Sequence, residues 1–169
     1  LARGVGQLRR DLPPARWVRA EGVHLTLKFL GEQSEAAVGR LGELVPASLA
    51  GLAPVTVRLG GAGFFPDDRR PRVAWVGGSA PGLEQWVETL EACANELGVP
   101  RERRPFAIHF TLARLDRPWG ARAVEDFRVR LGKWALPEFR AREVVLFESR
   151  LKPSGAEYAA LVRWPVGEA

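Results

Sequence analysis

Both histidines of this chain sit in the same short pattern. His24-Leu25-Thr26-Leu27 returns as His109-Phe110-Thr111-Leu112, 85 residues on (24 to 109), in a sequence of 169. An imidazole two residues from a hydroxyl places a proton-transfer group beside a hydrogen-bond donor, and in a strand the two share a face. An unperturbed imidazole titrates near pH ~6.5, so at neutral pH one can serve as base while another serves as acid. Each transfer contributes about 10²–10⁴-fold to a rate. The threonine hydroxyls can donate to oxygens on which negative charge builds. This set suits cleavage of a cyclic phosphodiester, with water activated on one side of phosphorus and the leaving sugar oxygen protonated on the other. A single histidine beside a threonine is a common core feature. Two in equivalent contexts, with no third histidine in the chain, point to one shared site.

The elements that must position these residues follow from period and punctuation. Residues 23–30 read as a strand ended by Gly31, which puts His24, Thr26 and Lys28 on one face and Leu25, Leu27 and Phe29 on the other. Ser34 caps a helix running to about Leu49, with Val38, Leu41, Leu44, Val45 and Leu49 near one side. Residues 54–59 and 72–76 read as strands joined by a Gly/Pro/Asp loop over 60–68 that holds Phe64 and Phe65. A second helix spans 82–97 and stops at Gly98. Residues 107–112 form the strand of the second motif, and 121–131 a helix. Residues 139–149 and 157–164 make a closing pair of strands, joined through Lys152-Pro153-Ser154-Gly155. Residues 2–12 hold a remnant matching the second helix. The order strand-helix-strand-strand thus occurs twice. We expect an α+β fold, one domain over 1–169, in two pseudo-symmetric lobes (approximately 1–80 and 81–169). Each lobe is an antiparallel sheet with helices outside, and both His-x-Thr strands face a central cleft.

Composition narrows the chemistry. The net charge is +5, and all basic residues but Lys28, Lys133 and Lys152 are arginines. Arginine suits planar, bidentate recognition of phosphate, and it clusters at Arg69-Arg70-Pro71-Arg72 and at Arg101-Glu102-Arg103-Arg104, although codon bias with solvated loops gives the same pattern. Cys93 is the only cysteine, so no intrachain disulfide forms; it reads as a small core residue in a reducing, cytoplasmic protein. One cysteine and two histidines fall short of the four ligands of a structural zinc site, so neither metal nor cofactor is expected. No apolar run approaches the roughly 20 residues of a membrane helix. The opening residues lack the apolar stretch of a signal peptide. The glycine-rich loop is no phosphate-binding loop of the nucleotide-hydrolase kind, because no Gly-Lys-Ser/Thr follows it.

At these residues the chain resembles the two-histidine phosphoesterase superfamily, specifically the bacterial and archaeal RNA 2',3'-cyclic phosphodiesterases once named 2'-5' RNA ligases. The likeness is carried by the run from His24 to Glu32 and by the run from His109 to Arg114. It extends through Gly61 to Pro66, Pro71 to Trp75, and Leu146 to Ser149 with Tyr158, and so covers nearly the whole chain. Two departures stand out. The family's opening strand and Leu-Pro turn are not found, so a sheet short of one strand is expected. Ile108 stands where the family often has proline before the second histidine.

The resemblance implies that His24, Thr26, His109 and Thr111 are catalytic. It further implies that His24 is the acid for O3' and His109 the base for water, leaving a 2'-phosphate. The implied partners are RNA with 2',3'-cyclic phosphate ends or cyclic nucleotides, bound by a monomer. Arg114, Lys28 and Phe65 are candidate substrate contacts. Strict alternation from His109 puts Arg114 on the wrong face, so it reaches the site only where the strand ends or bulges near Ala113. Lys28 shares parity with His24, and Phe65 can stack on a base. Trp75, Trp86 and Trp164 read as core. Three other readings stay open: the reverse reaction, an ATP-independent 2'-5' RNA ligase; a non-catalytic module that binds RNA ends; and a metallo-phosphoesterase, disfavoured by the shortage of ligands.

Overall fold

In the computed structural model, which describes residues 5, 6, 8–10, 12–152 and 155–167, the helix expected after Ser34 is α1, Glu35–Leu49. The Ser34 hydroxyl accepts from the backbone N–H of Ala37 at 3.2 Å, satisfying a donor that the first turn leaves unpaired. Leu41, Val45 and Leu49 form its buried stripe. Helix α2 is Leu83–Glu96. It ends where Gly98 takes φ +79° and the N–H of Val99 turns back to the carbonyl of Ala94 at 3.0 Å. Helix α3 is Ala121–Gly132, with Val124, Phe127 and Leu131 buried.

Seven strands accompany them: β1 Arg16–Trp17, β2 Val55–Phe65, β3 Val73–Ser79, β4 Phe110–Arg114, β5 Glu138–Ala141, β6 Glu143–Lys152 and β7 Gly155–Pro165. The first five form one sheet in the order β1-β4-β3-β2-β5, and β6 and β7 form a two-stranded sheet. The pairs β1–β4, β2–β3, β3–β4 and β6–β7 are antiparallel. This is the α+β, antiparallel architecture expected of the sequence.

Several elements differ from expectation for identifiable reasons. The strand over 23–30 is not formed: Leu25 makes one isolated bridge to Phe110, and residues 26–30 leave the ladder. Phe29 is accordingly 78% exposed rather than facing a core. The second motif's strand starts at Phe110, so His109 immediately precedes it. The glycine-rich stretch 60–65 is strand, not loop, because a bulge between Leu59 and Ala62 absorbs the glycines and lets β2 continue to Phe65. Residues 139–149 divide into β5 and β6. β1 has only two residues, too few to show a period. Of residues 2–12, numbers 2–4, 7 and 11 lie outside the described residues; Val5, Gly6 and Leu8 are helical and Leu8 is buried. Pro153 and Ser154 of the expected turn also lie outside them.

Two compact units result, and each draws on both halves of the sequence. The first contains Leu1–Leu25, Arg58–Ser79 and Ala107–Glu138; the second contains Thr26–Val57, Ala80–Phe106 and Phe139–Ala169. In the first, Phe64 meets Phe127 at 5.3 Å and Trp119 at 6.2 Å between ring centroids, so the sheet backs onto α3. In the second, α1 packs on α2 and on β7. Trp86 is buried there, as expected, with its indole N–H donating to the carbonyl of Ala53 at 3.1 Å. Trp164 and Cys93 are also buried, as expected. Among the described residues, no helix is long and apolar enough to cross a membrane.

Phe127 is fully buried at the centre of the first unit's aromatic cluster. Phe127→Ala is expected to lower the free energy of unfolding by about 3–5 kcal/mol, measured by urea denaturation.

Candidate active site

β4 carries the site because it is paired along both edges. On one side lies β3, with Val76 opposite Phe110, Trp75 opposite Thr111, Ala74 opposite Ala113 and Val73 opposite Arg114. On the other, Trp17 and Arg16 pair with Ala113 and Arg114, and the N–H of Val18 donates to the carbonyl of Leu112 at 2.9 Å. The chain then makes a short 3-10 turn over Ala20–Gly22 and returns to the same edge at Leu25, opposite Phe110. In antiparallel register that return sets His24 level with Thr111.

The pairing of β3 and β4 skips Leu112, which is therefore the extra residue of a bulge. Leu112 and Ala113 are consecutive and both fully buried, whereas Thr111 is half-buried and Arg114 exposed. Alternation is thereby reset, and Thr111 and Arg114 come to one face. Opposed residues share a face, so Gly63, Trp75 and Thr111 form one row across the sheet, and Phe65, Val73, Arg114 and Arg16 the next. The bulge that Arg114 requires is present, one residue earlier than Ala113. Among the described residues Arg114 has no carboxylate partner, while its neighbour Arg16 pairs with Asp116 at 2.9 Å.

Both histidines belong to the first unit, although the sequence places one in each half. They are held alike. His24 Nδ1 lies 2.9 Å from the carbonyl of Gly22, and His109 Nδ1 lies 2.9 Å from the carbonyl of Ala107. A carbonyl oxygen only accepts, so Nδ1 carries a proton and donates in both rings. His109 is two residues before Thr111 and His24 is level with Thr111, so they are diagonal neighbours on one face. In a regular ladder such neighbours lie about 7–8 Å apart, with Cβ atoms somewhat closer. Thr26 is exposed and is the first residue of the second unit.

Aromatic rings fix the His109 side. Phe65 meets the His109 ring edge-on at 5.0 Å and Trp75 at 5.3 Å, and Trp75 is 6.4 Å from His109. Trp75, expected in the core, is instead half-buried on this outer face, and Phe64 rather than Phe65 enters the core. Gly63 makes the arrangement possible, because a Cβ there would lie inside the indole of Trp75. A glycine within a strand is the sequence signal for such an approach, and it was not connected to Trp75 from sequence.

Lys28 has a different task from the expected substrate contact. Its ammonium is 2.6 Å from Glu91 Oε2 and donates to the carbonyl of Pro100 at 2.8 Å, with both side chains buried. The parity argument fails because residues 26–30 are not a strand. Glu91 also went unnoticed in the sequence; its signal is a lone carboxylate among Leu90, Cys93 and Ala94 on the buried side of α2. Nearby, the backbone N–H groups of Arg104 and Arg103 hold the Glu102 carboxyl below its ordinary pKa.

Gly63→Ala is expected to displace the Trp75 indole and cost about 1–3 kcal/mol by overpacking. Gly60→Ala meets nothing within 4 Å and is expected to leave the melting temperature unchanged; thermal denaturation of the two variants checks this.

The family model described as LigT like Phosphoesterase matches residues 1–75 and 77–158. A Geobacillus stearothermophilus protein named RNA 2',3'-cyclic phosphodiesterase is 31% identical over 98% of this chain; the chain spans 52% of that relative's length. An Aeropyrum pernix protein of the same name is 31% identical over 88% of this chain and 84% of its own length. The crystal structure of Escherichia coli LigT complexed with 3'-AMP superposes with a TM-score of 0.74 at 27% identity, covering 99% of this chain and 94% of that one. The chain belongs to the LigT-like phosphoesterase family.

Proposed function

We propose that the protein hydrolyses 2',3'-cyclic phosphate ends of RNA or nucleotides to 2'-phosphates, without a metal ion. The observation that carries this reading is the matched hold on the two imidazoles, each bound through Nδ1 to the carbonyl two residues before it, on one face of one unit. The relatives' shared name, RNA 2',3'-cyclic phosphodiesterase, supports the reaction. The nucleotide carrying a 3'-phosphate in the Escherichia coli complex supports a nucleotide end as ligand.

In this reading His109 Nε2 takes a proton from water as the water oxygen bonds to phosphorus. The P–O3' bond breaks and His24 Nε2 gives its proton to O3'. The carbonyl behind each ring suits both roles, since a donated Nδ1–H bond holds a neutral base in the right tautomer and also stabilises an imidazolium acid. The hydroxyls of Thr26 and Thr111 donate to the non-bridging oxygens as charge develops. Arg114 contacts phosphate as a guanidinium without a protein partner, and the partly exposed ring of Phe65 contacts the base. The enzyme works as a monomer in a reducing cytoplasm.

Incubation with 2',3'-cyclic nucleotides in EDTA, with the product's phosphate position read by phosphorus NMR, is expected to give 2'-phosphates. Exclusive 3'-phosphate, or activity restored only by a divalent ion, overturns the proposal. Single substitution of His24 or His109 by alanine is expected to lower kcat/KM by about 10²–10⁴-fold. A nitrophenyl phosphodiester, whose leaving group needs no proton, should rescue His24→Ala and not His109→Ala. The opposite pattern reverses the two roles.

A further inference from the structure

Lys28–Glu91 is the one ion pair among the described residues with both side chains buried, 8% and 9% exposed. Lys28 Nζ reaches Glu91 Oε2 at 2.6 Å and the carbonyl of Pro100 at 2.8 Å, and the same Oε2 accepts from the N–H of Glu102 at 3.3 Å. The pair therefore ties together residues 26–30, helix α2 and the 100–102 segment. Burying two charges is costly, and apolar residues of similar volume often stabilise a fold at least as well. Stability alone gives no reason for a charge pair here.

Fixed position does. Residues 26–30 have no strand ladder after Leu25, and Phe29 is turned out to solvent. An apolar side chain at 28 can slide within its pocket. An ammonium held by a carboxylate and a carbonyl has a set direction and length. Thr26 lies two residues before that anchor. We propose that the Lys28–Glu91 pair is a positioning device that fixes the course of residues 26–30 and, with it, the direction of the Thr26 side chain. The inference rests on the reading of Thr26 as a donor to the phosphoryl group.

The paired variant Lys28→Met/Glu91→Leu leaves no unpaired buried charge and is expected to fold. On a 2',3'-cyclic nucleotide its kcat is expected to fall about 10- to 100-fold, the effect of a small misplacement, with KM changed less than about twofold. In a Thr26→Ala background the same pair of substitutions is expected to cost at most about twofold, because a positioning effect vanishes with the group positioned. Amide hydrogen exchange over residues 26–30 is expected to speed up while the melting temperature holds. Unchanged kcat, an equal loss in the Thr26→Ala background, or unchanged exchange overturns the proposal. If the wild type turns over no cyclic nucleotide, the functional reading fails by itself, and the exchange measurement decides the positioning role alone. Should the paired variant fail to fold, Glu91→Gln, which keeps the shape and removes the charge, is judged by the same measurements.

Discussion

The two-sided pairing of β4 is the constraint on which the site depends. β3 fixes its register on one edge, and β1 with Leu25 fixes it on the other. An edge strand can slip or twist; a strand clamped on both sides cannot shift without breaking two ladders. His109 immediately precedes β4, Thr111 lies within it, Arg114 ends it, and His24 is delivered to its edge. The aromatic core of the first unit presses against the opposite face through Phe110, Leu112 and Ala113. One short strand of five residues thus transmits the rigidity of a core to the candidate site residues beside it.

Around that strand, polar geometry and apolar packing divide the work. The imidazoles are aimed by hydrogen bonds to their own backbone two residues earlier, a local device that travels with the motif. His109 is additionally walled by Phe65 and Trp75, and this wall requires Gly63 to be bare. His24 follows the 3-10 turn that returns the chain to β4.

The candidate site was legible in the sequence because it is defined by residue types and spacing. Two histidines, each two residues from a threonine, needed no fold to be noticed. Helices α1, α2 and α3 were legible too, since the Ser34 cap, the Gly98 stop and the apolar stripes are local. What escaped was set by distant partners. Alternation assigned Lys28 and Phe29 to faces of a strand that never forms, because past Leu25 nothing pairs with it. Trp75 read as core because its burial against Gly63 and His109 depends on strand register. The bulge at Leu112 leaves no mark beyond two adjacent small or aliphatic residues, yet it decides which way Arg114 points. It was anticipated only as a condition.

The interleaving of the two units bears on how the chain must be made. β1 finds its partner only once residues 113 and 114 exist, and Leu25 waits for Phe110. During synthesis the first histidine stays unplaced until 86 further residues (24 to 110) have followed it. The sheet is a high-contact-order assembly that closes late, whereas α1 can form as soon as its own residues are available. A fragment ending before β4 holds one complete copy of the motif without the strand pairing that places it. The duplicated pattern therefore does not mark two separable halves: the face that carries both imidazoles needs β4 and its neighbours together.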